Sequence, residues 1–116
     1  MSTEVQEKKN IYHTKGDSLL LYVRMDITNR EGEVIDDYKP EAGDKIRFAL
    51  KKSYSDPEPL ILVDIPNDTQ LLKLEPEDTK SLKVGKYIYD CEITFSDGFV
   101  DTFIKEAPFN LTPEVH

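Results

Sequence analysis

Tryptophan is absent from this 116-residue chain, cysteine occurs once and histidine occurs twice. Cys91 has no second cysteine to pair with, which excludes an intramolecular disulfide, and nothing in the cysteine usage marks an oxidising compartment. The histidines are His13 and His116, so the chain has almost no side chains from which to build a histidine-based catalytic triad or a zinc site. The sequence therefore predicts no catalytic site and no metal site, and we do not expect an enzyme.

A long apolar run is missing as well. The longest one spans residues 19–23, far short of the roughly 20 apolar residues that a transmembrane helix needs. Residues 1–10 lack the apolar segment of a signal peptide. We therefore expect no membrane span and no secretion by that route.

Positive charge and clustered glycine are also scarce. The chain has 23 acidic and 15 basic residues, a net charge of -8, which repels nucleic-acid phosphates and anionic lipid. We therefore expect neither nucleic acid nor a membrane as a partner.

The five glycines are scattered singly and form no phosphate cradle, so we expect no cofactor. The acidic pairs lack the ligand spacing of a calcium loop, which favours solvated turn charge and leaves a weak loop-end calcium site as the alternative.

The dominant pattern in the sequence is apolar alternation with a period of two, which is typical of half-buried β-strands. Residues 45–51 alternate most clearly, with apolar side chains at the even positions. Residues 86–95 carry an apolar or aromatic side chain at each odd position, which predicts a strand at the centre of a sheet. Cys91 belongs to that apolar face, so we interpret it as a buried structural thiol.

Further strands are predicted between turn residues. A short apolar segment is predicted at residues 34–35, and the strands span residues 11–15, 19–28, 60–65, 69–74, 99–105 and 107–112. In the second of these the odd positions form one continuous apolar face, and the last is interpreted as an edge strand. His13 is interpreted as a solvent-facing strand residue. Residues 76–81 begin with proline and acidic residues but are too short for more than about one or two helical turns, which predicts a helical corner.

Seven or eight short strands separated by turn signals predict an all-β fold, an immunoglobulin-like antiparallel β-sandwich with one short helical corner. A chain of this length supports one hydrophobic core and gives no sign of a second. We therefore expect a flexible leader over residues 1–10 and a single β-sandwich domain over residues 11–116.

The most specific local motif is a glycine two residues before a tyrosine, Gly85 and Tyr87, at the start of a long strand. This arrangement resembles the tyrosine corner of immunoglobulin-like sandwiches, in which a tyrosine hydroxyl bonds to backbone just upstream. Ordinary strand aromatics are the alternative interpretation. In antibody-type domains a disulfide cysteine follows two residues later, where this chain has Tyr89, so the disulfide-bonded subclass is excluded.

Several predicted strands carry apolar side chains on both faces. Those opposite the predicted core are Leu20, Tyr22, Leu60, Leu62, Phe99 and Phe103. One sandwich does not bury both faces of so many strands, so either loops and the leader cover these residues or they contact another subunit. We predict a protein interface, which includes the case of a homo-oligomer.

Turn and strand-start motifs follow one another in a recognisable order. They are Gly16-Asp17-Ser18, Gly43-Asp44-Lys45-Ile46-Arg47-Phe48, Lys51-Lys52-Ser53-Tyr54-Ser55-Asp56-Pro57, Pro76-Glu77-Asp78-Thr79, Gly85-Lys86-Tyr87-Ile88-Tyr89-Asp90 and Asp97-Gly98. Over residues 15–111 this layout resembles small proteins of phages and prophages of Gram-positive bacteria, and is similar to the N-terminal immunoglobulin-like domain of phage baseplate upper proteins. The resemblance implies a structural component of the virion tail, assembled in the host cytoplasm and docking onto other tail or baseplate proteins. It implies no catalytic residues.

Two functions from different classes remain. The first is a structural assembly module of a phage-like tail, acting through protein–protein contacts. The second is a ligand-binding module, such as a carbohydrate-binding or adhesin-like sandwich. Sugar-stacking platforms normally include tryptophan, which is absent here, and Tyr12, Tyr38 and Tyr54 are the exposed aromatics predicted to replace it. We favour assembly.

Overall fold

The alternating segments of the sequence become the strands of the fold, which a computed structural model describes over residues 10–53, 55 and 58–113. Within these residues the fold is all-β and sandwich-like. The strands are β1 (Ile11–Thr14), β2 (Leu19–Tyr22), β3 (Met25–Thr28), β4 (Val34–Tyr38), β5 (Lys45–Lys51), β6 (Ile61–Ile65), β7 (Leu71–Leu74), β8 (Gly85–Thr94) and β9 (Val100–Thr112). One short helix, α1 (Pro76–Lys80), lies between β7 and β8. The predicted leader, apart from Asn10, lies outside the described residues, as do Tyr54 and His116.

Five strands form the larger sheet, in the order β1-β9-β8-β5-β6. In this sheet β1 runs parallel to β9, and the other neighbours are antiparallel. Two smaller antiparallel sheets pair β2 with β7 and β3 with β4. The third of the five strands is β8, which confirms the prediction that its segment lies at the centre of a sheet.

The core lies between the larger sheet and the β2–β7 pair. As predicted, the even positions of β5 and the odd positions of β8 face it, and Phe48 and Cys91 lie opposite each other and are fully buried. The ring centroid of Phe48 lies 5.5 Å from that of Tyr89 and 6.4 Å from that of Phe109. Burying one such large apolar side chain contributes about 1.5–3 kcal/mol. This aromatic cluster joins β5, β8 and β9 on the core face of the larger sheet.

The predicted helical corner is confirmed as α1. Pro76 occupies the helix start, where its missing N–H costs no hydrogen bond. The side chain of Asp78 accepts the backbone N–H of Glu75 at 2.7 Å, which satisfies a donor at the helix start. Thr79 is fully buried, and its hydroxyl accepts the N–H of Gly16 at 3.0 Å, which links the helix to the β1–β2 turn. Within the described residues, no helix has the length and apolar character to cross a membrane.

The single strand predicted over residues 19–28 is wrong, because the structure divides it into β2 and β3. At Val23 the pairing with the neighbouring segment ends in two hydrogen bonds. The N–H of Val23 donates to the carbonyl of Gln70 at 2.8 Å, and the Gln70 side-chain amide donates to the Val23 carbonyl at 2.9 Å. Beyond this point β3 pairs with β4 instead. Ile27, at the end of the predicted core face, is consequently exposed.

The separate strands predicted over residues 99–105 and 107–112 are also wrong, because β9 is one strand with local irregularities in its pairing with β8. Glu106 has a positive φ of 53°, and its N–H donates to the side chain of Asp90 at 2.6 Å. The carboxylate thus replaces a backbone partner where the ladder is interrupted. Residues 107–112 do not form an edge, since β1 pairs with them in parallel on the side opposite β8.

The prediction that His13 faces solvent is wrong, because its side chain is buried at 5% exposure. It lies on the same side of β1 as Ile11, facing the core. Its Nε2 lies 3.0 Å from the carbonyl oxygen of Asp17, which only accepts, so Nε2 carries the donating hydrogen. The imidazole ring also packs edge-on against Phe109 at a centroid distance of 6.1 Å. His13 is a satisfied core residue.

Candidate functional site

The predicted corner residues Gly85 and Tyr87 lie at the start of β8. The Tyr87 hydroxyl donates to the backbone carbonyl of Lys83 at 2.6 Å, a contact to backbone four residues upstream. The Tyr87 ring is buried, and the ammonium of Lys52 lies 4.9 Å from its centroid. This arrangement has the geometry of a tyrosine corner. It joins the segment after α1 to the central strand and offers no reactive group.

The six apolar residues predicted to form an interface do not form one surface. Leu20 and Tyr22 lie on β2 and are 64% and 48% exposed. Leu62 lies on β6 and is 53% exposed, and Leu60 immediately precedes that strand. The strands β2 and β6 belong to different sheets.

Of the remaining two residues, Phe99 immediately precedes β9 and Phe103 lies within it. Phe99 is 65% exposed, and its ring stacks on Phe95 at a centroid distance of 6.1 Å. Phe103, in contrast, is partly buried and packs against the core. It lies where the β8–β9 register shifts, so alternation no longer assigns its face. The structure therefore removes Phe103 from the exposed set.

The surface around Leu62 continues across the larger sheet. Leu62 lies opposite Ala49 on β5, and Ile88 on β8 lies opposite Pro108 on β9. Ala49 pairs with Asp90, which lies two residues after Ile88 on the same strand. Ala49 and Ile88 are therefore diagonal neighbours on one face of the sheet. We call Leu62, Ala49, Ile88 and Pro108 the outer stripe. It crosses four strands on the face opposite the core.

Charged residues border the outer stripe. Arg47 and Asp64 form the pair next to Ala49 and Leu62 on this face, and Arg47 Nε lies 3.4 Å from Asp64 Oδ1. Lys51 lies opposite Ile88. An apolar centre with a charged rim is the usual composition of a protein–protein contact. The sequence identified Leu62 in this surface but missed Ala49, Ile88 and Pro108, because only the strand register brings them together.

A hydrogen-bonded cluster fixes the segment between β4 and β5. The Tyr38 hydroxyl donates to Asp44 Oδ2 at 2.6 Å, and the backbone N–H of Glu41 donates to the same oxygen at 2.8 Å. These donors lower the pKa of Asp44 below its usual value. The hydrogen bond to the Asp44 carboxylate raises the pKa of Tyr38 to about 12.

This cluster changes the interpretation of the predicted tyrosine platform. Tyr38 is half-buried with its hydroxyl committed to Asp44 and its ring edge-on to Phe95 at 5.6 Å. Tyr38 is therefore not an exposed stacking surface. Tyr12 is 74% exposed, while Tyr54 lies outside the described residues.

A cavity of about 430 Å³ opens between β2 and the core face of the larger sheet. Its apolar wall includes Leu21, Val23 and Ile104, with Tyr89 and Cys91 on the central strand. Burial raises the pKa of the Tyr89 phenol above its usual value. The sequence contains no signal for this cavity, because its residues come from distant strands.

Polar residues also line the cavity. Arg24 Nε lies 2.8 Å from Asp26 Oδ1, and the Arg24 side chain is 55% exposed. Asp26 Oδ1 is itself inaccessible to solvent. The cavity therefore combines an apolar wall with a guanidinium–carboxylate pair.

Neither a metal cluster nor a known relative guides the assignment of function. Across residues 10–53, 55 and 58–113, no group of three or more His, Cys, Asp or Glu side chains is placed to hold a metal ion. Comparison with protein-family models, with curated proteins and with solved structures finds no match to this chain. The function must be inferred from the surfaces of the chain itself.

Proposed function

We propose that this chain is an immunoglobulin-like β-sandwich that serves as a non-catalytic assembly module of a phage or prophage tail. The immunoglobulin-like assignment is supported by the packing of the five-stranded sheet over the β2–β7 pair. It is supported further by the hydrogen bond from the Tyr87 hydroxyl to the Lys83 carbonyl after the helical corner.

The observation that carries the assembly proposal is the outer stripe. Leu62 is 53% exposed and Pro108 is also exposed, on a face where four neighbouring strands of the larger sheet each contribute one apolar residue. Covering such residues removes apolar area from water, which is favourable by about 25 cal/mol per Å². The adjoining Arg47 and Asp64 supply the polar rim that sets orientation.

The tail assignment rests on the resemblance of the turn and strand-start motifs to phage baseplate upper proteins. On this proposal the partners are other tail or baseplate proteins, with a homo-oligomer as one form of the contact. The protein is assembled in the host cytoplasm and ends in the virion. Neither nucleic acid nor a membrane is a partner in this scheme, which agrees with the net charge of -8.

Coexpression with the proteins of neighbouring genes tests the proposal. We expect a complex of fixed stoichiometry with a tail or baseplate protein, or an oligomer of this chain, measured by size exclusion with light scattering. Leu62→Asp places a charge in the outer stripe and should weaken the complex at least tenfold. The matched control is Ile35→Asp on β4, which alters an equally exposed apolar residue, 62% exposed, away from that face.

Two results would contradict assembly through this face. One is a chain that stays monomeric at high concentration and binds none of the tail proteins encoded beside it. The other is an equal loss of binding in the Leu62→Asp and Ile35→Asp variants, with both folded by circular dichroism.

The second candidate function, ligand binding, is favoured by the cavity rather than by the tyrosine platform. The cavity is of ligand size, since pockets for small molecules occupy roughly 300–1,000 Å³. It lies on the core side of the larger sheet, whereas the outer stripe lies on the opposite side.

A further inference from the structure

The cavity beside β2 has an apolar interior. Aliphatic side chains from four strands contribute to its wall: Ile11 on β1, Leu21 on β2, Leu72 on β7 and Ile104 on β9. None of these residues carries a charge, and burial raises the pKa of the Tyr89 phenol beside them. The interior therefore suits a hydrocarbon chain and excludes an ion.

The volume limits the size of that chain. A cavity of about 430 Å³ divided by roughly 30 Å³ for each non-hydrogen atom, the share of one water in the liquid, holds roughly 14 atoms. A saturated chain of about ten carbons with a small head group fits this limit.

The polar residues select the head group. Arg24 Nε forms an ion pair with Asp26 Oδ1 at 2.8 Å, and the guanidinium group carries five N–H donors. The terminal nitrogens of an arginine form a fork that binds a carboxylate through two parallel hydrogen bonds. Asn10 and Tyr22, which also line the cavity, carry further polar groups.

We propose that this cavity binds a medium-chain carboxylate, with its hydrocarbon chain against Leu21 and Ile104 and its carboxylate on Arg24. The proposal goes beyond assembly and does not depend on it, because the cavity and the outer stripe lie on opposite sides of the larger sheet. A variant of Leu62 thus leaves the cavity unchanged.

Decanoate is the probe. Its titration into the full chain, followed by amide chemical shifts, should give saturable changes centred on Leu21, Cys91 and Ile104. Decanol, which has the same chain length without the charge, should bind at least tenfold more weakly. The double variant Arg24→Gln/Asp26→Asn removes the ion pair without leaving one charge behind, and should abolish this preference for decanoate.

A matched pair of tryptophan variants locates the site. Leu21→Trp fills the cavity and should eliminate decanoate binding, whereas Leu20→Trp, on the outward face of the same strand, should retain it within about twofold. Because the chain has no other tryptophan, indole fluorescence reports each variant separately. A cooperative thermal unfolding transition is the control that each variant is folded.

Four outcomes would overturn the proposal. They are shift changes on the outer stripe instead of the cavity, equal binding of decanoate and decanol, equal effects of the two tryptophan variants, and binding that appears only after residues 1–9 are removed. The last result would show that the full chain closes its own cavity. None of these outcomes bears on the coexpression test of assembly.

Discussion

Tyr87 and Tyr89 stand two residues apart on β8 and face the same core, yet their hydroxyls have different environments. The Tyr87 hydroxyl donates to the Lys83 carbonyl at 2.6 Å. The Tyr89 side chain lines the cavity, and burial raises the pKa of its phenol. The two residues therefore have the same type and face the same side of the strand. The Tyr87 hydroxyl forms the corner hydrogen bond, whereas Tyr89 belongs to the cavity wall.

Tyr87→Phe should reduce the free energy of unfolding by about 1 kcal/mol, because it removes one buried hydrogen bond and leaves the Lys83 carbonyl without it. Urea denaturation measures this loss. Tyr12→Phe is the control, since Tyr12 is 74% exposed and should change stability by less than about 0.5 kcal/mol. Equal losses in the two variants would contradict a stabilising role for the corner.

The Asp44 carboxylate should make stability depend on acid. Its pKa in the folded state lies below the usual value of 3.8, chiefly because Tyr38 donates to it. Its stabilising contribution is therefore complete above that value and is lost as the pH falls through the lowered folded pKa. Unfolding free energies measured from pH 6 down to pH 2 should decline less steeply in Asp44→Asn than in the native chain.

The contribution of Tyr38 to the free energy of unfolding should change with pH in the opposite direction, at high pH. Its pKa is raised from 10.0 to about 12 by the hydrogen bond to Asp44, so its contribution is complete below pH 10 and is lost as the pH rises through about 12. Tyr38→Phe should remove this part of the alkaline destabilisation. An unchanged alkaline profile in that variant would show that other groups cause it.

At the scale of elements, α1 matters less as a helix than as a support for the β1–β2 turn. Thr79 is its buried residue, and its hydroxyl accepts the Gly16 N–H across the chain at 3.0 Å. The five residues of α1 are too few for a stable isolated helix. Its packing and this hydrogen bond hold it in place.

Thr79→Val should reduce the free energy of unfolding by about 1–3 kcal/mol, because valine keeps the shape but leaves the Gly16 N–H without its acceptor. Thr79→Ser keeps the hydroxyl and should recover part of that loss. Thermal and urea unfolding of the three proteins measure the difference. If Thr79→Val were as stable as Thr79→Ser or more stable, packing alone would account for the contribution of residue 79 to stability.

At the scale of the whole molecule, one aromatic cluster joins β5, β8 and β9. Phe48, Tyr89 and Phe109 contact one another within the buried core. Because these strands belong to one sheet and face the β2–β7 pair, we expect the described residues to unfold as one cooperative unit.

Phe48→Ala should cost about 3–5 kcal/mol, the range for removing a buried phenylalanine, since Phe48 is fully buried. Leu62→Ala on the adjoining strand is the control and should change stability by less than about 0.5 kcal/mol. Tyrosine fluorescence and circular dichroism should give coincident transitions in urea. Separate transitions would contradict a single unit.

The local pattern determined much of the fold. Alternation predicted β5, the central position of β8 and the burial of Cys91, because each side chain of a strand points to the opposite face from its neighbour. It also contained the answer for His13, which lies two residues after Ile11 and faces the same way. The prediction that His13 faces solvent did not use this spacing.

Only the tertiary structure decided how the strands pair and which faces stay uncovered. The parallel pairing of β1 with β9 joins residues almost a full chain apart, and it makes residues 107–112 an interior segment. The same long-range registers assemble the outer stripe and the cavity from residues that no local motif connects. The sequence alone determined the period of the strands and the small number of histidines, because these depend on residue type and neighbouring positions. Surfaces depend on which strands become neighbours, and that choice is made by packing.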